Sequence, residues 1–234
     1  MMRIMPTPSK AKRPPTQGSR PRRRAAPQPK PYHHGDLRRA LIEAGFKLVE
    51  ERGVEHLSMR EAARRAGVSP AAPFRHFESR EALMTAVALE AQRRFRSEIA
   101  AALQEAPPGD PLARVRAFGI AYLRWAMRNP AHFEIISTGR LFDYDKAADL
   151  VRDNAEVIGM FERTLKEAFA QGQLRTAELG HVQIAARALV YGFARMNIDG
   201  HFPRWGVAAG EAEATAEAVV DLFIDGIAKR PRRK

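Results

Sequence analysis

The stretch SMREAARRAGVSPAAPFRHF, Ser58 to Phe77, limits the possible fold more than any other part of the chain. Ser58 stands three residues before Glu61, the spacing of a capping box, so a helix opens there. That helix passes through Ala62 and Ala63, small enough for another helix to cross closely, and stops at Gly67. Ser69 then supplies a cap, and Pro70 a first residue that needs no amide donor. The spacing predicts a second short helix over 69–77. Pro73 is its fourth residue, and the carbonyl its ring crowds belongs to the Ser69 cap, which softens the clash. Two short helices around a glycine turn read as a helix-turn-helix. The competing reading is a tight corner that serves packing alone.

The flanking sequence is helical as well. Asp36 can cap a helix whose apolar positions are Leu37, Leu41, Ala44 and Leu48, one buried face closed by Gly53. Ser79 opens a long helix to about Glu105, followed by the break APPGDP. Val115, Phe118, Tyr122 and Trp125 share a face of the next helix, and Pro130 ends it. AHFEIIS is a short helix and TGRLFDYD a loop. Residues 145–171, with Ile158, Phe161, Leu165 and Phe169 aligned, form a further helix closed by Gly172. Two more cover 178–200 and 211–228. No strand alternation is visible. The expected fold is all-α with about nine helices. Its expected divisions are a basic tail (1–31), a helix-turn-helix domain (32–78), a connecting helix (79–106) and a larger helical domain (107–234).

Charge placement separates the tail from the rest. The net charge is +12, and residues 1–31 hold nine Lys/Arg, no Asp or Glu, and eight of the sixteen prolines. Such a segment is expected to be a disordered polycation suited to phosphate. The remainder is nearly balanced. No Cys is present, which removes disulfides and thiolate chemistry. No apolar run approaches the roughly 18 residues of a membrane span. A cytoplasmic protein without a membrane partner is expected.

A recognition helix enters the major groove by its first turns, which must be slim. Pro70, Ala71 and Ala72 are slim, and alanine methyls can touch a thymine methyl. Arg75 can reach guanine or a phosphate, and His76 a phosphate or a base. Ser58, Ser69 and Ser79 sit at helix N-termini, where free amide donors favour phosphate oxygens. Arg80 adds a cation there.

Residues 32–90 resemble the DNA-binding domain of the TetR/AcrR family of bacterial transcription regulators. The likeness is carried by Gly53, Ser58, Ala66–Ser69 (AGVS), Phe74, His76–Phe77, Ser79 and Arg80. Two positions depart from the family pattern. Pro73 and Phe74 stand where Leu and Tyr are usual, so the phosphate contact of the Tyr hydroxyl should be missing. More loosely, LRWAMRNPAHFEII and AARALVYGFARMNIDGHF resemble a WHG-type ligand-binding domain. The positions of its Trp, His and Gly are taken here by Arg187, Tyr191 and Gly192, so the resemblance implies the fold rather than the pocket chemistry.

The resemblance further implies a homodimer built from residues 178–200 and 211–228, whose Ala-rich faces permit close packing. Phe118, Tyr122, Trp125, Phe133, Phe161, Tyr191 and Phe193 either pack a plain core or line a pocket for an apolar ligand. Arg187, one turn from Tyr191, is a candidate for an anionic group on such a ligand. The histidines lack metal-ligand spacing, and no nucleophile or phosphate-loop motif appears. Neither a metal, a cofactor nor an enzymatic activity is expected. The expected function is a double-stranded-DNA-binding transcription regulator, a repressor released from a palindromic operator by a small-molecule effector. The alternative is a ligand-independent architectural protein relying on its basic tail.

Overall fold

The computed structural model describes residues 34–138 and 147–229; the basic tail and most of the TGRLFDYD segment, with Asp143 and Asp145, lie outside them. The described chain forms eight α-helices. They are α1 (His34–Arg52), α2 (Met59–Ala66), α3 (Arg80–Glu105), α4 (Pro111–Arg128), α5 (Pro130–Thr138), α6 (Ala148–Ala170), α7 (Leu179–Ile198) and α8 (Ala212–Ile227). Three short 3-10 turns, Val54–His56, Pro73–Arg75 and Phe202–Trp205, fill connections. The all-α fold agrees with the sequence reading. The ninth expected helix, over 69–77, is instead a turn followed by one of these 3-10 segments.

The caps of α2 and α3 fall where the sequence placed them, whereas α1 begins at His34, so Asp36 lies inside its first turn, and Ser69 caps no helix. The Ser58 hydroxyl accepts from the Glu61 amide at 3.1 Å, and Ser79 from the Ala82 amide at 3.2 Å. The Glu61 carboxylate does not reach back toward Ser58 but binds Arg64 at 3.0 Å and Arg52 at 3.3 Å. Gly67 ends α2 with φ +71°. The Val68 amide donates to Ala63 O and the Gly67 amide to Arg64 O, at 3.0 and 3.3 Å, the paired bonds of a Schellman ending.

Two apolar cores result. The first, which we call the head, joins Leu41, Leu48, Leu57, Ala62, Phe77 and Leu83 with their neighbours. The second, the body, gathers Phe95, Val115, Leu123, Trp125, Leu165 and Val220 among others. Helix α3 runs through both: Leu83 to Ala91 belong to the head core, Phe95 and Ile99 to the body core. The short α5 does the same within a single turn, giving Phe133 to the body and Ile135 to the head. Leu150, from the start of α6, also fills the head core. Each fully buried leucine or isoleucine contributes about 1.5–3 kcal/mol.

In α6, Phe161 and Leu165 are buried as their spacing predicts, whereas Ile158 and Phe169 are 43% and 45% exposed. The buried stripe of α6 is centred on Val157, Phe161 and Ala168, and Ile158 and Phe169 fall just past its edge. The α6 turn and the end of α8 are tied by backbone bonds from Arg175 N to Ile227 O at 3.0 Å and Lys229 N to Gln173 O at 2.6 Å.

Candidate nucleic-acid interface and effector cavity

The turn after Gly67 exposes Ser69, Pro70 and Ala71 and half-buries Ala72. Bonds from Ala72 N to Ser69 O (3.0 Å), Arg75 N to Ala72 O (3.2 Å) and His76 N to Pro73 O (2.9 Å) all span three residues. Pro73 has no amide to give an i to i−4 bond, and its ring is buried with Phe77 against the head. The chain therefore tightens into a 3-10 segment where an α-helix was expected. This brings out Phe74, 62% exposed, and Arg75, also exposed; His76 is half-buried. Ser58 and Ser79, at the starts of α2 and α3, flank the same segment, both half-buried by their capping roles.

Arg80 is held differently from the sequence reading. Its Nε donates to Leu57 O at 2.6 Å and its Nη2 to Val54 O at 3.2 Å. The guanidinium thus fastens the α1–α2 connection to the start of α3. Its reach across 23 residues depends on tertiary packing, which local spacing does not encode. Arg60, at the start of α2, and Arg38 and Arg39, on α1, are exposed cations that the sequence reading passed over. Arg38 lies over the Phe77 ring at 5.3 Å.

A cavity of about 350 Å³ opens in the body among α3, α4, α5, α6, α7 and α8. Phe118, Tyr122, Phe133, Phe161 and Arg187 line it. Trp125 and Tyr191 do not. Trp125, 1% exposed, packs its ring 5.0 Å from Phe95, and Tyr191 stands behind Phe133 at 6.0 Å. Phe193, also outside the lining, packs on Phe202 at 4.8 Å. The sequence reading missed the polar part of the wall, Gln92, Ser137, Asn154 and Gln183. Gln92 is 3% exposed and its amide nitrogen has no partner among the described residues. Its signal was a polar residue in line with Ala88 and Phe95 on the apolar face of α3. Tyr122 accepts a hydrogen bond from the Arg187 guanidinium. Burial pushes its hydroxyl above the usual range while Arg187 pulls against that, so the proton stays on the oxygen at neutral pH.

Helix α5 connects cavity and head. Phe133, Ile136 and Ser137 face the cavity. His132, fully buried, donates from Nε2 to Phe46 O on α1 at 3.0 Å. Its ring stacks on Phe46 at 3.7 Å, 15° from parallel, and Arg94 lies over the same Phe46 ring at 3.9 Å. Burial lowers the His132 pKa from 6.5 to about 4, with the Phe46 bond opposing and Arg94 adding to the fall. The imidazole is therefore neutral at pH 7.

Comparison with known proteins places this geometry. Residues 41–87 match the family described as bacterial regulatory proteins, tetR family, and residues 115–223 match the tetracyclin repressor-like C-terminal domain. Together these cover two thirds of the chain. The chain belongs to the TetR family. The HTH-type transcriptional regulator BetI of Rhizobium meliloti is 35% identical over 80 residues, 34% of this chain and 38% of that regulator's length. Among solved structures, a Rhodococcus sp. RHA1 protein of unknown function superposes with TM-score 0.72 at 28% identity, over 86% of this chain and all of that one. The TetR-family regulator PfmR of Thermus thermophilus shares the fold at TM-score 0.61 and 22% identity, over 79% of this chain and 97% of its own. TetR-family proteins are DNA-binding transcriptional regulators. No helix among the described residues is long and apolar enough to cross a membrane.

Proposed function

We propose that this TetR-family protein is a homodimeric, sequence-specific DNA-binding regulator, acting in the cytoplasm as a repressor that an apolar small molecule releases from a near-palindromic operator. The observation that carries the reading is the 69–75 segment, exposed at Ser69, Pro70, Ala71, Phe74 and Arg75 and slim at Ala71 and Ala72, between two capped helix starts. A narrow approach with a forked cation beside it suits the major groove: Arg75 reads guanine or grips phosphate while the alanine methyls meet thymine. Arg38, Arg39 and Arg60 add cations for the flanking phosphates.

Dimerisation through α7 and α8 is supported by Ile184 and Leu222, 69% and 73% exposed, and by exposed Ala185, Ala188, Ala214 and Ala218 on the same helices. Large apolar side chains left in water among alanines are what a helical interface covers. Two-fold symmetry then sets half-sites about 34–36 Å apart or a multiple of that. Release requires that the ligand favour the non-binding arrangement. Both α3 and α5 reach from the cavity wall to the head core, and they supply the route.

Footprinting of the purified protein on the DNA flanking its own coding region tests this. A protected, dyad-symmetric site is expected, with discrimination lost when Arg75→Glu is combined with Ala71→Leu. Protection that follows no sequence, or that collapses once residues 1–31 are removed, would leave the tail as the binding agent and refute the proposal.

A further inference from the structure

The walls of the cavity name a class of effector; this inference rests on the reading of that cavity as the effector site. Of the side chains lining it, only Gln92, Tyr122, Ser137, Asn154, Gln183 and Arg187 carry polar atoms. None is acidic, and Arg187 is the one charge among the described residues of the lining. A lone fixed cation beside apolar walls favours an anion and repels a cation.

Arg187 also differs from its neighbours in how it is held. Arg114, Arg116, Arg124, Arg128 and Arg195 each grip a carboxylate: Glu167, Asp221, Glu213, Glu98 and Asp199 respectively. No carboxylate among the described residues pairs with Arg187. Its guanidinium rests instead on the Tyr122 hydroxyl, with Cζ 5.5 Å from the Tyr122 ring and 5.1 Å from the Tyr191 ring. Arg187 is exposed while Tyr122 is 6% exposed, so the guanidinium stands at the solvent end of the cavity and points inward. The planar fork has donors to spare. The Tyr122 oxygen accepts from Arg187 and keeps its own proton to donate.

We propose that the effector is an apolar carboxylic acid bound as its carboxylate, the head group on Arg187 and the Tyr122 hydroxyl and the hydrocarbon body among Phe118, Phe133 and Phe161. A dianionic phosphate would leave one of its charges unmatched by the single guanidinium. One carboxylate is matched by one guanidinium.

Calorimetric titration of the full chain at neutral pH tests the proposal with three probes of equal chain length: octanoate, 1-octanol and octyltrimethylammonium. Octanoate is expected to bind at least tenfold more tightly than 1-octanol, and the ammonium more weakly than either. In Arg187→Gln the octanoate affinity should fall to within a few-fold of that of 1-octanol, whose own binding, made without a charge, should change far less, and an unaltered thermal unfolding curve marks an intact fold. Tyr122→Phe should lower octanoate affinity by a few-fold and 1-octanol affinity by less, since a hydrogen bond to a charged group is the stronger one. Equal binding of acid and alcohol, preference for the ammonium, binding of no probe, or an undiminished octanoate preference in Arg187→Gln each overturns the proposal. No DNA enters the titration. A negative result with an intact operator footprint therefore refutes the effector class alone, and a missing footprint leaves the titration standing.

Discussion

The stacked pair His132–Phe46 makes the junction between cavity helix and head sensitive to acid. His132 has an ordinary pKa of 6.5 when unfolded and about 4 in the folded protein. A histidine whose folded pKa is depressed contributes stability above its unfolded value and loses it as pH falls toward the folded value. Between those limits the unfolded chain binds the extra proton. Relative to pH 7, linkage gives a loss of about 2 kcal/mol at pH 5 and about 3 kcal/mol at pH 4 from this side chain. Carboxylates such as Glu51 and Asp221, held below their usual range by hydrogen bonds from Arg65 and Arg116, add their own loss at the acid end, where their unfolded forms take up protons. A difference measurement removes them. His132→Phe keeps an aromatic ring on Phe46 and deletes the titrating group. Urea unfolding of both proteins at pH 7, 6, 5 and 4 should show the variant gaining on the parent by about 2 kcal/mol between pH 7 and pH 5. Parallel pH profiles would refute the reasoning, because a fully buried neutral imidazole must be charged or expelled as the solution acidifies.

Three further outcomes are expected. Phe74→Tyr restores a hydroxyl at the exposed tip of the 3-10 segment, and operator affinity by fluorescence anisotropy should rise about two- to tenfold, the worth of one hydrogen bond. Gly45→Ala puts a Cβ 2.8 Å from a Val87 methyl and 3.1 Å from a Leu57 methyl, and thermal unfolding should report a loss of about 1–3 kcal/mol from the α1–α3 contact. Ile184→Asp with Leu222→Asp should halve the mass seen by sedimentation equilibrium and abolish protection of a dyad site, since both side chains face water in the single chain.

Much of this architecture could be read from local chemistry. Ser58, Ser79 and Gly67 announce their helix ends because caps and left-handed turns act over three to five residues. Leu41, Ala44 and Leu48 announce a buried face because periodicity is local too. What stayed hidden depends on distant partners. The 69–77 segment carries helix signals at both ends, yet Pro73 is buried, Phe77 is drawn into the head core, and the missing amide lets the chain tighten. Arg80 looks like a free cation until the Leu57 and Val54 carbonyls are seen beside it. Trp125 shares a helix face with Tyr122, but it packs behind the cavity wall against Phe95. The polar wall residues come from α3, α5, α6 and α7, and no single window of sequence brings them together.

The double allegiance of α5 bears on how such a protein can be taken apart. Ile135 and Leu150 lie beyond the connecting helix, yet both are at most 1% exposed inside the head core. A fragment stopping at residue 106 would have a hollow where each of them sits, at a cost of about 2–5 kcal/mol apiece by analogy with truncated core side chains. That is a large part of the stability of a small domain. A chimera that grafts this reading head onto another sensor must therefore bring the 130–138 helix and the first turn of α6 with it.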